Sequence, residues 1–527
     1  MRINMSGQIA LVLIGVLLVL PYQSQGLVAR SSDRGEKSPN VTGRWLWSHP
    51  NPNDGTTLMS YFEINQNGSL ISGHAELPWG GTTEFAYGRI SGSEISFRVG
   101  TGKSSVVFRG TVDGMKMRLA RTEAGKTIQV KLSKLAAEKS NYPTGETLPV
   151  IRSLPYNGLA VTPPMGWNAW NHFHDFINDR MVRGVVEAMV SSGMRDAGYI
   201  YVNIDDEWAG ERDDKGIIHS NRNFPDMKGL ADFVHNKGMK IGLYSSPGPQ
   251  TCEGHVGSMH HEDDDARTFA GWGIDYLKYD WCSASFVYSD KDMRAVYQKM
   301  GAALQKTGRP IVFSLCQYGR ENVSTWGSQV GGNLWRTTPD VQDNWSSVLG
   351  IWESQHAIAS ANSRGGWNDP DMLEVGNGKM SQQEYRTHFT LWAFLSAPLI
   401  SGNDPRSMSP STREILTNHE VISIDQDSLA AEPLRIAQSG GVETWMKPLS
   451  GGGFALLFLN TGNHERLVKA AWNTRETEAP IEARDLWSHK NFIIPGQLEA
   501  VLPSHGVKLL RLPKSAKPPM SISTFGK

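Results

Sequence analysis

Cysteine is nearly missing from this 527-residue chain: only Cys252, Cys282 and Cys316 occur. So few exclude a disulfide-built scaffold and a thiolate metal cluster, leaving at most one disulfide and one free thiol. An excess of charge of either sign is missing too. Lys and Arg number 52 against 53 Asp and Glu, for a formal net charge of -1. No bulk field is available to attract nucleic acid or an anionic membrane. Long apolar runs are also absent. The one candidate, 9–20, follows Arg2, is too short to span a bilayer, and leads into small residues at Gly26 and Ala29. It reads as a secretory signal over 1–29, with a single N-terminal anchor as the alternative. The expectation is a soluble protein, secreted or periplasmic, with no membrane association after signal removal.

Tryptophan and glycine are plentiful, at 17 and 54 residues. Tryptophan-rich clefts stack on the C–H faces of sugars, though a large core uses the same rings. The length calls for two to four domains. Residues 41–135 alternate in short runs separated by Asn67-Gly68, Ser91-Gly92 and Asp113-Gly114, the signature of a small antiparallel sandwich or barrel. Trp45, Trp47 and Trp79 there are read as core in preference to a sugar platform. Residues 136–160, carrying Pro143, Pro149 and Pro155, read as a linker. No acids or histidines converge in the N-terminal region, so activity on small substrates is expected to survive its removal.

From Thr162 the pattern becomes strand and helix in alternation. Strands are expected at 165–170, 199–204, 240–244, 276–282, 311–315, 333–336, 366–370 and 399–401. Eight such units over 161–430 fit a (β/α)8 TIM barrel. Residues 431–513 return to strands as a C-terminal antiparallel β-sandwich, and 514–527 read as a disordered tail.

The fourth strand, Tyr276-Leu277-Lys278-Tyr279-Asp280-Trp281-Cys282, organises the chemistry. Residues two apart share a strand face, so Lys278 and Asp280 point one way. An adjacent lysine favours the ionised aspartate, and a carboxylate at a barrel strand's C-terminal end is where a nucleophile sits. A structural ion pair is the alternative use of the same two residues. The other strand ends carry Trp170, Asp205, Asp206, Tyr244, Gln317, Arg336, Asp340, Asp369 and Asp371. This set is rich in carboxylates, has no histidine, and lacks a Ser–His pairing and a phosphate loop. Paired acids among aromatics, without oxyanion machinery, are what glycoside hydrolysis requires. One rival is a metal-dependent hydrolase using Asp205, Asp206, Asp280 and Asp371, disfavoured because Lys278 and Arg336 would compete with the metal. The other is a catalytically dead sugar-binding protein.

Five motifs make the text recognisable. Lys278-Tyr279-Asp280-Trp281-Cys282, Met165-Gly166-Trp167-Asn168-Ala169-Trp170, Ile204-Asp205-Asp206-Glu207-Trp208, Trp335-Arg336-Thr337-Thr338-Pro339-Asp340 and Gly365-Gly366-Trp367-Asn368-Asp369-Pro370-Asp371-Met372-Leu373 resemble the α-galactosidases of glycoside hydrolase family 27. The resemblance runs over about 160–512 and leaves the N-terminal region uncovered. It implies a retaining exo-glycosidase acting on terminal α-D-galactosyl residues of oligo- or polysaccharides, without cofactor or metal. Asp280 takes the place of the nucleophile and Asp340 that of the acid/base. Asp205 and Asp206 match the grip on the 4- and 6-hydroxyls, Trp170 and Tyr244 the lining aromatics, Lys278 and Arg336 the donors, and Asp371 with Met372 the far wall. It further implies a Cys252–Cys282 disulfide and leaves Cys316 a buried free thiol. Many members have Glu where this chain has Gln317. That places Gln317 beside the 2-hydroxyl, next to the bulk of Tyr318. β-L-Arabinopyranosidase and α-N-acetylgalactosaminidase are the alternatives within the family.

Overall fold

The computed structural model describes residues 38–526 apart from 52, 77–81, 101–104, 124, 137–146 and 473–479. The expected signal at 1–29 and Trp79 lie outside them.

The N-terminal region is a closed antiparallel barrel of eight strands in sequence order, from Gly43–Pro50 to Lys126–Lys134, sealed by pairing of the first with the last. Every second residue turns inward. The interior is aromatic, with Phe97 stacked on Phe108 at 4.9 Å and Phe62 edge-on to both. Trp45 is fully buried, which is the core role expected of it. Two of its strands are Leu70–Glu76 and Lys126–Lys134. Gly73 breaks the first. Its φ of 152° and its approach to the Glu63 carbonyl, 1.9 Å from where a Cβ would stand, permit no side chain.

The catalytic-type barrel follows. Its parallel strands are Met165–Asn168, Tyr201–Asn203, Lys240–Ser245, Tyr276–Asp280, Val312–Cys316, Leu334–Arg336, Trp367–Asp369 and Leu399–Ser401. The first and eighth pair directly. The seventh meets the eighth through its extension, where Leu373 N donates to Ile400 O at 2.8 Å and Gly402 N donates to Leu373 O at 2.9 Å. The expected helix signals operate. Asn178 caps Asp179–Ser191 by accepting from Met181 N, and Ser381 with Glu384 forms a capping box for Gln382–Leu395.

Residues 147–160 do not hang free between domains. Arg152 N donates to Gln298 Oε1 at 2.7 Å, Leu154 N to Gln329 O at 2.8 Å, and Asn157 and Asn333 exchange side-chain bonds at 2.9 Å. Pro149 and Pro155 favour an extended strap along the barrel, and partners distant in sequence anchor it.

The C-terminal unit packs a six-stranded sheet on a three-stranded one. Phe454–Asn460 is buried at every position because it faces two cores. Ala455, Leu457 and Leu459 join the barrel core, while Phe454, Leu456 and Phe458 fill the sandwich. The tail, expected to be disordered, instead supplies an edge strand. Ser521–Gly526 pairs residue for residue with Arg466–Ala471, and Ile522 packs on the sandwich core. Its polar alternation carries too little apolar signal to stand out; a ready strand edge makes it a strand. No helix among the described residues is long and apolar enough to cross a membrane.

Candidate active site

The C-terminal ends of seven barrel strands surround a cavity of about 380 Å³. Trp170 and Asn171 follow the first strand, and Asp205 and Asp206 the second. Tyr244 is the last residue but one of the third, whose following loop adds Cys252 and Glu253. The fourth strand gives Lys278 and Asp280, and Tyr318 follows the fifth. The sixth supplies Arg336 and the exposed Asp340, and Asp371 with Met372 follows the seventh. All of these except Asn171 and Glu253 are among the residues expected from the sequence, with Tyr318 expected only as neighbouring bulk. Glu253 carried one usable signal, its place directly after a predicted half-cystine.

Asp280 is buried and held on both oxygens. Oδ1 accepts from Trp281 N at 2.8 Å and Tyr318 OH at 2.7 Å, and Oδ2 accepts from Tyr244 OH at 3.2 Å. Burial pushes its pKa up, against the pull of Lys278 and the Tyr318 hydroxyl. Lys278 does share its strand face, but its ion pair goes elsewhere, with Nζ donating to Asp205 Oδ2 at 2.8 Å. Asn168 Nδ2 donates to the same oxygen at 2.6 Å. Across the pocket, Arg336 Nη2 lies 3.0 Å from both Asp371 Oδ2 and Asp340 Oδ1. Asp340 stands at the rim with its side chain 69 % exposed. Desolvation pushes its pKa up, but Arg336 and Lys278 outweigh that and hold it below the usual carboxylate range. Two cations thus sit inside the ring of acids. The fixed positive charge that a bound metal would bring is already supplied by side chains.

Gln317 departs from its expected place. It is fully buried, accepts from Gly319 N through Oε1 at 3.1 Å, and does not line the cavity. Tyr318 takes the pocket position. It adopts a φ of 62°, which breaks strand alternation just past Cys316 and swings its ring inward. Glu207 and Asp371 have φ of 78° and 87°, so non-glycine left-handed residues recur around the pocket. Strand periodicity cannot foresee them. Replacing Tyr318 by Phe removes a hydroxyl bonded to a carboxylate, worth about 1.5–3 kcal/mol. The expected result is a fall in kcat of about tenfold or more. That hydroxyl also lowers the Asp280 pKa, so the acid limb of the kcat/KM profile should move upward. Unchanged kcat with an unmoved limb would show the contact to be idle.

Cys252 and Cys282 form a disulfide with Cα atoms 5.0 Å apart, and Cys316 is a buried free thiol. The bridge ties the Glu253 loop to the end of the fourth strand. Burial pushes Asp206 up to about 6 even though His255 opposes it. Burial, reinforced by Asp206 and Glu207, pushes Glu253 up to about 7. A raised carboxyl keeps its proton to higher pH, so both are largely neutral at pH 5, and near pH 7 Asp206 is mostly ionised while Glu253 still holds its proton about half the time. If ionised Asp206 accepts from substrate hydroxyls, kcat/KM should fall as pH drops through 7 to 6. The neighbours titrate together, so the limb belongs to the pair. Glu253→Gln should bring its midpoint down towards 6, measured on the free-enzyme profile.

The family described as Alpha galactosidase A matches residues 162–427, and the Alpha galactosidase C-terminal beta sandwich domain matches 439–512. An α-galactosidase of Oryza sativa is 45% identical over 359 residues, 67% of this chain and 85% of that protein. The solved α-galactosidase I of Mortierella vinacea superposes with a TM-score of 0.65 at 38% identity, covering 69% of this chain and 99% of its own. A Bacteroides fragilis structure described as a candidate α-galactosidase covers 90% of this chain and 98% of its own, at 30% identity and a TM-score of 0.64. Coverage that wide extends into the N-terminal barrel. The fold, the ordered motifs and these likenesses agree: the chain belongs to the melibiase family of glycoside hydrolases, family 27.

Proposed function

We propose that this protein is a retaining exo-α-galactosidase that cleaves terminal α-D-galactosyl residues by double displacement, with Asp280 as nucleophile and Asp340 as acid/base. The observation that carries this reading is the state of Asp280: a buried carboxylate with both oxygens fixed by donors, facing a pocket of single-sugar size whose rim holds a second, exposed acid. Three donors keep Asp280 aimed rather than free to turn, and attack by an aimed group is favoured by orientation. It forms a bond to the anomeric carbon as Asp340 passes a proton to the leaving oxygen. Asp340 must carry that proton, so it leaves Arg336 as the aglycone arrives. Asp371 keeps Arg336 in place meanwhile. Water then attacks the ester with Asp340 as base.

Asp205, fixed by Lys278 and Asn168, and Asp206 are assigned to the sugar's 4- and 6-hydroxyls, with Trp170 and Tyr244 against its ring. Asp206 is one methylene shorter than a Glu would be and leaves room for the hydroxymethyl arm. The Tyr318 ring, in place of Gln317, limits space at the 2-position. The favoured order is therefore α-galactoside, ahead of both β-L-arabinopyranoside and 2-acetamido-α-galactoside. A panel of p-nitrophenyl glycosides tests this. A higher kcat/KM on either competitor would overturn the glycone assignment. Export is the matching localisation, because the Cys252–Cys282 bridge persists in oxidising compartments. N-terminal sequencing of the mature protein should begin near residue 30.

A further inference from the structure

The loop between the first two strands of the N-terminal barrel turns two polar side chains inward. Asn51 and Asp54 are buried against the catalytic domain. Asp54 Oδ1 accepts from Thr56 N at 2.8 Å and Thr56 Oγ1 at 2.7 Å, and Oδ2 accepts from Asn221 Nδ2 at 2.7 Å. His255 lies between two carboxylates from different domains. Its Nδ1 is 3.9 Å from Asp54 Oδ2 and its Nε2 is 3.3 Å from Glu207 Oε2, with all three side chains at most 4 % exposed. Asn51 Nδ2 donates to Glu207 Oε2 at 3.4 Å.

This cluster abuts the pocket wall. Glu207 N donates to Asp206 Oδ1 at 3.0 Å, and Glu253 N donates to Asp206 Oδ2 at 3.0 Å. The turn bearing Glu253 is closed by Thr251 N donating to His255 O at 2.8 Å. From outside, Gln250 Nε2 donates to Met59 O of the N-terminal barrel at 3.2 Å. Both backbone groups that aim Asp206 are thus carried on segments gripped from the N-terminal domain.

We propose that the N-terminal barrel completes the active site: Asp54 and Asn51 are positioning residues that act through His255 and Glu207 to fix Asp206 and Glu253 in the pocket wall. The expectation that the N-terminal region is dispensable for small substrates is thereby reversed. The sequence could not show it, because Asp54 and His255 stand 201 positions apart and neither falls in a motif.

Charge explains why the arrangement holds. Burial alone would lower the His255 pKa, but Glu207, Asp206 and Asp54 together raise it to about 9. The imidazolium is held between the two buried carboxylates by charge, with Thr56 Oγ1 3.5 Å from Nδ1, and loss of one carboxylate leaves a buried charge less compensated. The same three residues have the donor types of a metal site, with ligand atoms within 4.8 Å of one another. Their geometry argues for the proton. The two ring nitrogens face opposite carboxylates, and both Asp54 oxygens already accept hydrogen bonds.

The test keeps the full chain and measures kcat and KM separately on p-nitrophenyl α-galactoside, with thermal unfolding alongside. Asp54→Ala is expected to raise KM about tenfold or more with kcat little changed, since misplacing a binding group distant from the chemistry costs up to about 100-fold. Asp54→Asn, which keeps an acceptor for Thr56, should recover part of the loss. Met117→Leu, in the core of the same barrel and away from the loop, should leave KM unmoved. Because the pocket is read as galactoside-binding, an inactive wild type would count against that reading alone. An active wild type whose KM is the same in Asp54→Ala would overturn the positioning role. So would a KM shift equally large in Met117→Leu, or one stoichiometric metal whose chelation reproduces the Asp54→Ala defect.

Discussion

Asp280→Ala is expected to lose on the order of four decades or more of turnover while remaining folded, since removal of a nucleophile is among the costliest changes an active site can suffer. The fold should tolerate it because Asp280 stabilises nothing through an ion pair of its own; Lys278 is bonded to Asp205. Burial also pushes its pKa up, so the ionised carboxylate is costly where it stands. Deleting it should leave thermal stability unchanged or slightly higher. In the wild type, a slow ring-fluorinated α-galactosyl donor should add one fluorogalactosyl mass to the peptide containing Asp280. A label on another carboxylate, or near-normal turnover in the alanine variant, would remove Asp280 from the nucleophile's role.

Asp340→Gly should lose most activity on substrates with poor leaving groups, because no acid remains to protonate the departing oxygen. With an activated aryl leaving group the first step survives, and a glycosyl-enzyme accumulates without a base for water. Azide needs no base, so it should restore turnover by about two decades or more, within the range assigned to general acid–base catalysis. Attack on a β-linked ester inverts that carbon a second time, so the product should be the α-galactosyl azide. A β-azide would mean that azide had displaced the leaving group directly, and that no ester intermediate exists. The rim position of Asp340 favours rescue, since a side chain that is 69 % exposed leaves an open path for a small anion.

The sequence by itself determined the catalytic-type barrel, the order of its strands and nearly all of the pocket. Those features are written locally. Apolar runs at strand spacing bury themselves, amphipathic helices and caps such as Asn178 and Ser381 mark the intervals, and each strand's last polar residue falls at the barrel's open end by construction. Motif spacing around Asp280 added residue roles as expectations. Other features were decided only by the tertiary structure, and each depends on a partner distant in the chain or on a backbone angle. Lys278 shares a face with Asp280, yet pairs with Asp205, because the barrel brings the second strand's end within 2.8 Å. Gln317 and Tyr318 exchange their expected places because one left-handed residue ends strand alternation. The tail at Ser521–Gly526 becomes a strand only because Arg466–Ala471 offers it an edge. Asp54, unremarkable in a loop of the N-terminal region, becomes a buried anion opposite His255 because two domains close on it. A contact of that kind leaves no periodicity in the chain, and only its geometry reveals it.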